Sequence, residues 1–511
     1  MLNFVLRRFL SSVAVLLVAT FLIFVLADIA ADPLEDLRTS TAPNKEALIA
    51  ERTAMLELDK PSPVRYLSWL GGVAGCAIGK CDLGMAWRSN QPVSDVLSSA
   101  LVVTLKLVTV ATVLAIVLGV LVGVVSALRQ YEGFDYGIIF LSFLLYSLPT
   151  FWVAVLLKQW VAIGFNDFLR DATISPPTIG VIAIVLGIIF GAAAGGEWRR
   201  RLMVFGISAA ATAAALFYIS ATKWLLEPSL GPVVILASGI GIALAVTAVS
   251  TGLRNRRAMY SALTTAVVGA ILWFPLQFVF RAANGGVIAG LAVVAIVIGV
   301  VIGYAWGGPD RGQSARTSAI VAFLVGMLIF ADRLMQAWKP YSESSVIGGR
   351  PIPTIGSQTP GLKGSYWVVT LDQLTHLLLP TLALILISFA GYTRYQRASM
   401  LEVMNQDYVR TARAKGLTER TVIMRHAFRN SLIPLATIVP IDIAALLGGA
   451  VITERIFGWS GMGTMFLKSL ANAELDPLMI YVLIVGAVAV IANFVADLVY
   501  AALDPRIRVN A

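Results

Sequence analysis

Few side chains in this 511-residue chain could do bond-making chemistry. Its only histidines are His376 and His426, and its only cysteines are Cys76 and Cys81. A protein zinc site draws three or four ligands from such groups, so the pattern offers no metal cluster. The cysteines lie close together in a polar stretch, and outside a membrane they would close a small disulfide loop. Residues 75–80, Gly-Cys-Ala-Ile-Gly-Lys, faintly suggest a phosphate loop. The spacing is wrong and no Ser or Thr follows the lysine. The chain therefore has no nucleotide site of its own, and ATP-driven work would need another subunit. Asp442 is a carboxylate inside an apolar run. There it costs about 2.5–3.5 kcal/mol unless it faces a cavity or a partner. A pathway residue and a paired structural charge both fit. Pro149 and Pro440 interrupt apolar runs, either as hinges of a gate or as plain kinks. Lys106 and Lys158 stand near the ends of theirs and can snorkel.

The most informative polar stretch is 394–430. It is basic, and its apolar residues Met400, Val403 and Met404, then Val422, Ile423, Ala427 and Phe428, recur at three- and four-residue steps. That spacing predicts amphipathic helix. Gly416 separates the two pieces and can take a positive φ that other residues resist. Thr418, with Arg420 and Thr421, opens the second piece. The expectation is a helix–glycine–helix elbow, with an ordinary loop as the plainer alternative.

These residues must be positioned by elements built in lipid. Hydrophobic residues make up 58% of the chain and charged ones 13%, against roughly 25% charged in soluble domains. The mean hydropathy is +0.82. The net charge is +10, but the basic residues sit in short loops between apolar runs, which speaks against nucleic acid and for positive-inside asymmetry. Residues 1–28 read as a retained first span. An extracytoplasmic segment follows over 29–97, then spans two and three within 98–165. Block 166–337 holds six apolar stretches, near 178–196, 202–221, 233–253, 259–280, 287–306 and 317–336. Each is about 20 residues, enough to cross roughly 30 Å of hydrocarbon. A second extracytoplasmic segment covers 338–376. The last three spans, near 381–392, 432–451 and 478–502, lie in 377–511 with the loop 394–430 between them. Arginines at 199–201, at 254, 256 and 257, and at 311 and 316 alternate with basic-poor loops. The fold class predicted is an all-α polytopic membrane protein of about 12 spans, with both termini cytoplasmic. Four-residue glycine steps (Gly187, Gly191, Gly195; Gly299, Gly303, Gly307; Gly119, Gly123, Ala127) predict close helix packing, or a gliding face.

The text DYVRTARAKGL (407–417) followed by RHAFRNSLIP (425–434) resembles the cytoplasmic "EAA" loop of ABC importer permeases, in its di- and oligopeptide form. PSPVRYLSWLGG (61–72), DLGMAWRSNQPV (82–93), SLPTFW (147–152), HLLLPTLAL (376–384), ERIFGWSGMG (454–463) and YAALDPRIR (500–508) are similar to the same family. The resemblance covers about 1–165 and 338–511. It implies a six-helix permease core, with block 166–337 as six added helices. It implies that Gly416 is the signature glycine, and that Arg410, Thr411 and Ala412 stand where the EAA triplet falls, although the triplet itself is absent. Docking on an ATPase would fall to Ala414, Lys415, Gly416, Leu417, Thr418, Glu419 and Arg420, and more loosely to His426, Arg429 and Asn430. The implied assembly is a second permease, two ATPase subunits that bind ATP and Mg, and an external substrate-binding protein, in a bacterial inner membrane. The chain itself would need no cofactor. Segments 29–97 and 452–476 are the expected outer docking surface. A permease-like scaffold or an ion-coupled secondary transporter is the alternative.

Overall fold

A computed structural model describes residues 2–503, so the closing 504–508 of the last matching motif, and the C-terminus, lie outside the described residues. The chain is an all-α polytopic membrane protein. One short hairpin, Met85–Ala86 with Gln91–Pro92, interrupts the helices. Eleven described helices are long and apolar enough to cross a bilayer, and up to 12 spans result if a bent pair is one span. Every backbone polar group must be satisfied internally in lipid, which is why the spans are helical. The chain divides into two compact units.

Of the described residues, the first unit comprises 2–161, 354–357 and 377–503. It holds the spans Leu2–Ala30, Val93–Leu128 and Leu475–Leu503. Gly119 and Gly123 lie where Val93–Leu128 meets residues 392–397. A Cβ on Gly119 would stand 2.6 Å from Tyr392 Cβ, and one on Gly123 2.8 Å from Gln396 Cβ. The glycine step is therefore a packing face that brings two backbones together. Residues 29–97 fold into the helices Glu35–Thr39, Lys45–Met55 and Ser62–Gly75. Tyr66 and Trp69 on the last of these are buried with Phe24, Met462, Met465 and Met479. Arg65 ties this helix to Asp28 at 2.6 Å. Cys76 and Cys81 are joined in a disulfide.

Two expectations for this unit need correction, while the third span, read as broken by Pro149, is broken there. Gly133–Ser147 and Thr150–Phe168 meet at 101°, so Pro149 stands at a full break, in a broken span or re-entrant pair. Its own ψ of 136° is extended, which no helix can run through. The span expected near 381–392 is a 39-residue helix, Tyr366–Met404, with Pro380 inside it. It takes in the end of the segment read as external and the start of the loop read as cytoplasmic. Segment 452–476 is not a loop: Val451–Phe457 and Met462–Ala471 are helices.

The second unit comprises 162–353 and 358–376. Its six long helices are Pro176–Ala194, Trp198–Ala221, Gly231–Ser250, Arg256–Val279, Gly285–Trp306 and Arg311–Gln336. Gly299 and Gly303 let Gly285–Trp306 touch the backbone of Arg311–Gln336, with a built Cβ only 2.6 Å from Ser318 O and 2.4 Å from Ala315 Cα. Gly187 and Gly191 do the same against Phe205, more loosely. The core contains Ile235, Ala243, Ala262, Ala266, Val321, Val325 and Trp367. Asp332, fully buried, accepts from Leu230 N (2.7 Å), Gly231 N (3.2 Å), Trp273 Nε1 (2.7 Å) and Gln336 Nε2 (2.8 Å). It thus caps the Gly231–Ser250 helix and is saturated. Near the unit's ends in the sequence, Asn166 pairs with Ile352 twice: Nδ2 donates to the carbonyl (2.8 Å) and Oδ1 accepts from the amide (3.0 Å). A buried network holds the 343–365 connection: Asp372 accepts from Thr359 N and Oγ1, and Tyr341 Oη lies 2.9 Å from Thr375 Oγ1.

Candidate functional site

The elbow is built from local rules. Asp407–Ala414 is a helix that ends at Lys415. Gly416 follows at φ +75°. Its amide donates to Arg413 O (2.9 Å), and the Leu417 amide reaches back to Ala412 O (3.4 Å). That is the double bond of a Schellman stop, which needs a left-handed residue. Thr418 then caps the next helix, its hydroxyl accepting from the Thr421 amide at 3.4 Å. The second piece runs Glu419–Thr421, then as π-helix over Val422–Phe428, and on through Arg429–Ser431 to the span Ile433–Gly449.

Packing decides which side chains face out. Val409, Ala412 and Val422 are buried together beside Val403, clamping the two pieces. Met400 and Ala427 bury against Ala127, with Met404 and Ile423 packed around them. Ala412 therefore faces inward. Arg410, Thr411, Ala414, Lys415, Gly416, Leu417, Thr418 and Glu419 are exposed and form the tip. Thr411 Oγ1 donates to Asp407 O (2.8 Å), and Arg420 and His426 are half-buried. Arg429 is exposed. Asn430 Nδ2 bonds Tyr408 Oη (3.2 Å) and His426 O (2.9 Å), tying the second piece to the first.

The sequence reading did not single out Arg413, which grips Glu419 across the glycine: Nη2–Oε1 2.8 Å and Nε–Oε2 3.2 Å. Their separation of six suits no single helix, so only a turn between them brings them together. Both side chains are more than a third exposed, and exposed pairs contribute about 0.2–1 kcal/mol. Arg413→Gln is therefore expected to shift the stability of the purified protein by less than about 1 kcal/mol in thermal melting. A larger loss would mean that the ion pair, not the glycine stop and the valine clamp, holds the tip.

Two buried polar knots lie elsewhere in the same unit. Asp135, 1% exposed, receives Arg397 Nε (2.6 Å) and Nη2 (2.8 Å), Ser126 Oγ (2.5 Å) and Tyr131 N (3.1 Å). It joins the end of Val93–Leu128, the start of the broken pair and the Tyr366–Met404 helix seven residues before Met404. Glu454, fully buried, accepts from Thr104 Oγ1 (2.5 Å) and Thr464 N (3.1 Å). Burial pushes its carboxyl up, and these donors oppose the shift. It pins the glycine-rich turn 458–463 to the Val93–Leu128 helix. Asp442 is half-buried and faces Tyr392, whose hydroxyl has no other partner. Pro440 is one turn-half away inside the same helix. Lys158 Nζ donates to Ile456 O at 3.3 Å, capping Val451–Phe457. Among the described residues no group of three or more His, Cys, Asp or Glu side chains could hold a metal.

A family model described as the binding-protein-dependent transport system inner membrane component matches residues 266–509, and one for the N-terminal part of such components matches 1–108. The chain belongs to the family of binding-protein-dependent transport system inner membrane components. It is similar to the oligopeptide transport system permease protein OppB of Mycobacterium tuberculosis, 40% identical over 188 residues, which are 37% of this chain and 56% of that one. Identity to the oligopeptide transport system permease protein AppB of Bacillus subtilis is 43% over 137 residues (27% and 43% of the two chains). For the dipeptide permease DppB of Escherichia coli it is 41% over 138 residues (27% and 41%). The chain spans about half the length of the curated relatives it matches.

Proposed function

We propose that this chain is a membrane-spanning permease subunit of an ATP-driven importer for di- or oligopeptides handed over by an extracytoplasmic binding protein. The assembly would pair it with a second permease and with two ATPase subunits that bind ATP and Mg. It would sit in a bacterial cell membrane with both termini cytoplasmic. The observation that carries the reading is the elbow at Gly416. An exposed tip rests on a clamped two-helix base, one arm of which runs into the Glu419–Gly448 span and the other follows Tyr366–Met404. A force applied at the tip is therefore delivered to two spans instead of being lost in a loose loop. Alternating access follows if ATP-driven closure of the ATPases moves the tip, biasing a two-state bundle. Peptides have charged ends and varied side chains, so the route need only be wet and wide, with selectivity left to the binding protein.

The test is purification from the native membrane in mild detergent with the co-purifying chains identified by mass. Recovery of a second permease, ATPase subunits and a binding protein is the expected result. Recovery of this chain alone, with peptide uptake independent of ATP, would overturn the proposal in favour of an ion-coupled transporter.

A further inference from the structure

In the second unit, three helices (Arg256–Val279, Gly285–Trp306 and Arg311–Gln336) enclose a cavity of about 370 Å³. That volume is within the about 300–1,000 Å³ range of small-ligand sites. Its walls are almost wholly hydrocarbon, with Leu276, Ile298 and Val325 among them, and the small residues Gly269, Ala292 and Gly326 leave the room. Val294, Phe323 and Met327 at its side are exposed, so it opens sideways between spans, towards acyl chains and not towards water.

One end of the cavity is different. Phe280 and Phe330 line it, and both pack on Trp367, at 5.0 and 5.3 Å between ring centres. Arg333, one turn beyond Phe330, lies over the same indole at 5.9 Å. Arg281 directly follows Phe280 and is close enough to Arg333 for the two charges to repel. Their carboxylate surroundings differ. Among the described residues Arg281 is exposed and makes no ion pair. Arg333 has the Asp332 charge beside it, which offsets it in part, but Asp332 makes no ion pair with it and spends its oxygens on four neutral donors. Arg333 Nη1 bonds the neutral Gln336 (2.7 Å), and its buried Nε has no partner. Two guanidiniums with no carboxylate ion pair, above an apolar chamber, match one chemistry: an anion with a hydrocarbon tail. Guanidinium takes phosphate oxygens through paired N–H donors.

We infer that this cavity is a binding site for one anionic glycerophospholipid, its phosphate between Arg281 and Arg333 and an acyl chain between the three helices. The site turns the second unit into a reader of membrane composition, independent of cargo.

The experiment uses the full chain in vesicles of equal parts phosphatidylglycerol and phosphatidylcholine, doped with photoactivatable phosphatidylglycerol and, separately, photoactivatable phosphatidylcholine. The phosphatidylglycerol probe should label peptides from 256–336 in preference. Each surface guanidinium contributes about fivefold to anionic-lipid affinity. Arg281→Gln with Arg333→Gln should therefore lower that preference by about 25-fold, and lysine at both positions should keep most of it. Gly326→Leu fills the chamber without a backbone clash, because its Cβ meets only Ala295 Cβ at 3.8 Å. That variant should lose labelling by both probes. If the double variant does not fold, Arg281→Gln alone should lower the preference about fivefold. Equal labelling by the two probes in the wild-type chain, or labelling unchanged by Gly326→Leu, would overturn the assignment.

Discussion

Gly416→Val should abolish uptake of labelled peptide by cells that depend on this chain, while leaving the protein in the membrane at its normal amount. The reason is the backbone. Gly416 sits at φ +75°, a conformation that costs other residues roughly 1–2 kcal/mol, and β-branched ones most. No heavy atom comes within 4 Å of a Cβ built there, so the substitution clashes with nothing and the loss is conformational. Escape from the strain lies in opening the Schellman stop, which releases Leu417 from Ala412 and swings the exposed tip away from its clamp. Gly416→Asn, which tolerates the left-handed region, should retain most uptake, and Gly416→Ala should fall between. Free uptake by the valine variant would sink the role assigned to the elbow. Loss of the protein from the membrane would instead mean that Gly416 serves folding.

The second large effect concerns stability. Asp135→Ala should destabilise the protein by about 3–5 kcal/mol, read as a lowered melting temperature in detergent. The change leaves the Arg397 guanidinium, 20% exposed, without its two charge-assisted bonds, and it orphans Ser126 and the Tyr131 amide. Replacing both members with apolar residues of similar bulk should cost much less than the single change, because the penalty belongs to the unpaired charge. If Asp135→Ala and the double variant melt alike, Asp135 acts through its backbone capping of Tyr131 and not through the ion pair.

What could be read from the sequence was what depends on near neighbours. The six long helices of 176–336 end within a few residues of the apolar stretches, because polar, basic, glycine or proline residues interrupt the apolar run between them. The Gly416 stop and the Thr418 cap need only residues within four or five positions. The Tyr366–Met404 helix was truncated because Asp372, His376, Arg394 and Arg397 look like loop residues. Each is made tolerable by partners that are distant in sequence or lie in another element. Asp135 answers Arg397 across 262 positions, and Thr359 answers Asp372 from a different segment. Thr104 and Glu454, 350 positions apart, left no local trace beyond an unremarked glutamate in a matching motif. The break at Pro149 was legible but its right angle was not, since a proline in an apolar run reads the same whether the helix bends slightly or turns back.

The paired bonds between Asn166 and Ile352 bear on polymer statistics. The two residues are 186 positions apart. Closing a flexible loop of that size costs an entropy of (3/2)RT ln n, about 4–5 kcal/mol before any constant. It also grows so slowly that doubling the loop adds only about 0.6 kcal/mol. Once the side-chain amide of Asn166 clips the ends together, the remainder of the chain experiences a short tether whatever lies beyond it. The length and content of the segment between 166 and 352 are thereby freed to vary, and whole helical pairs could be gained or lost there with little thermodynamic consequence for the residues outside.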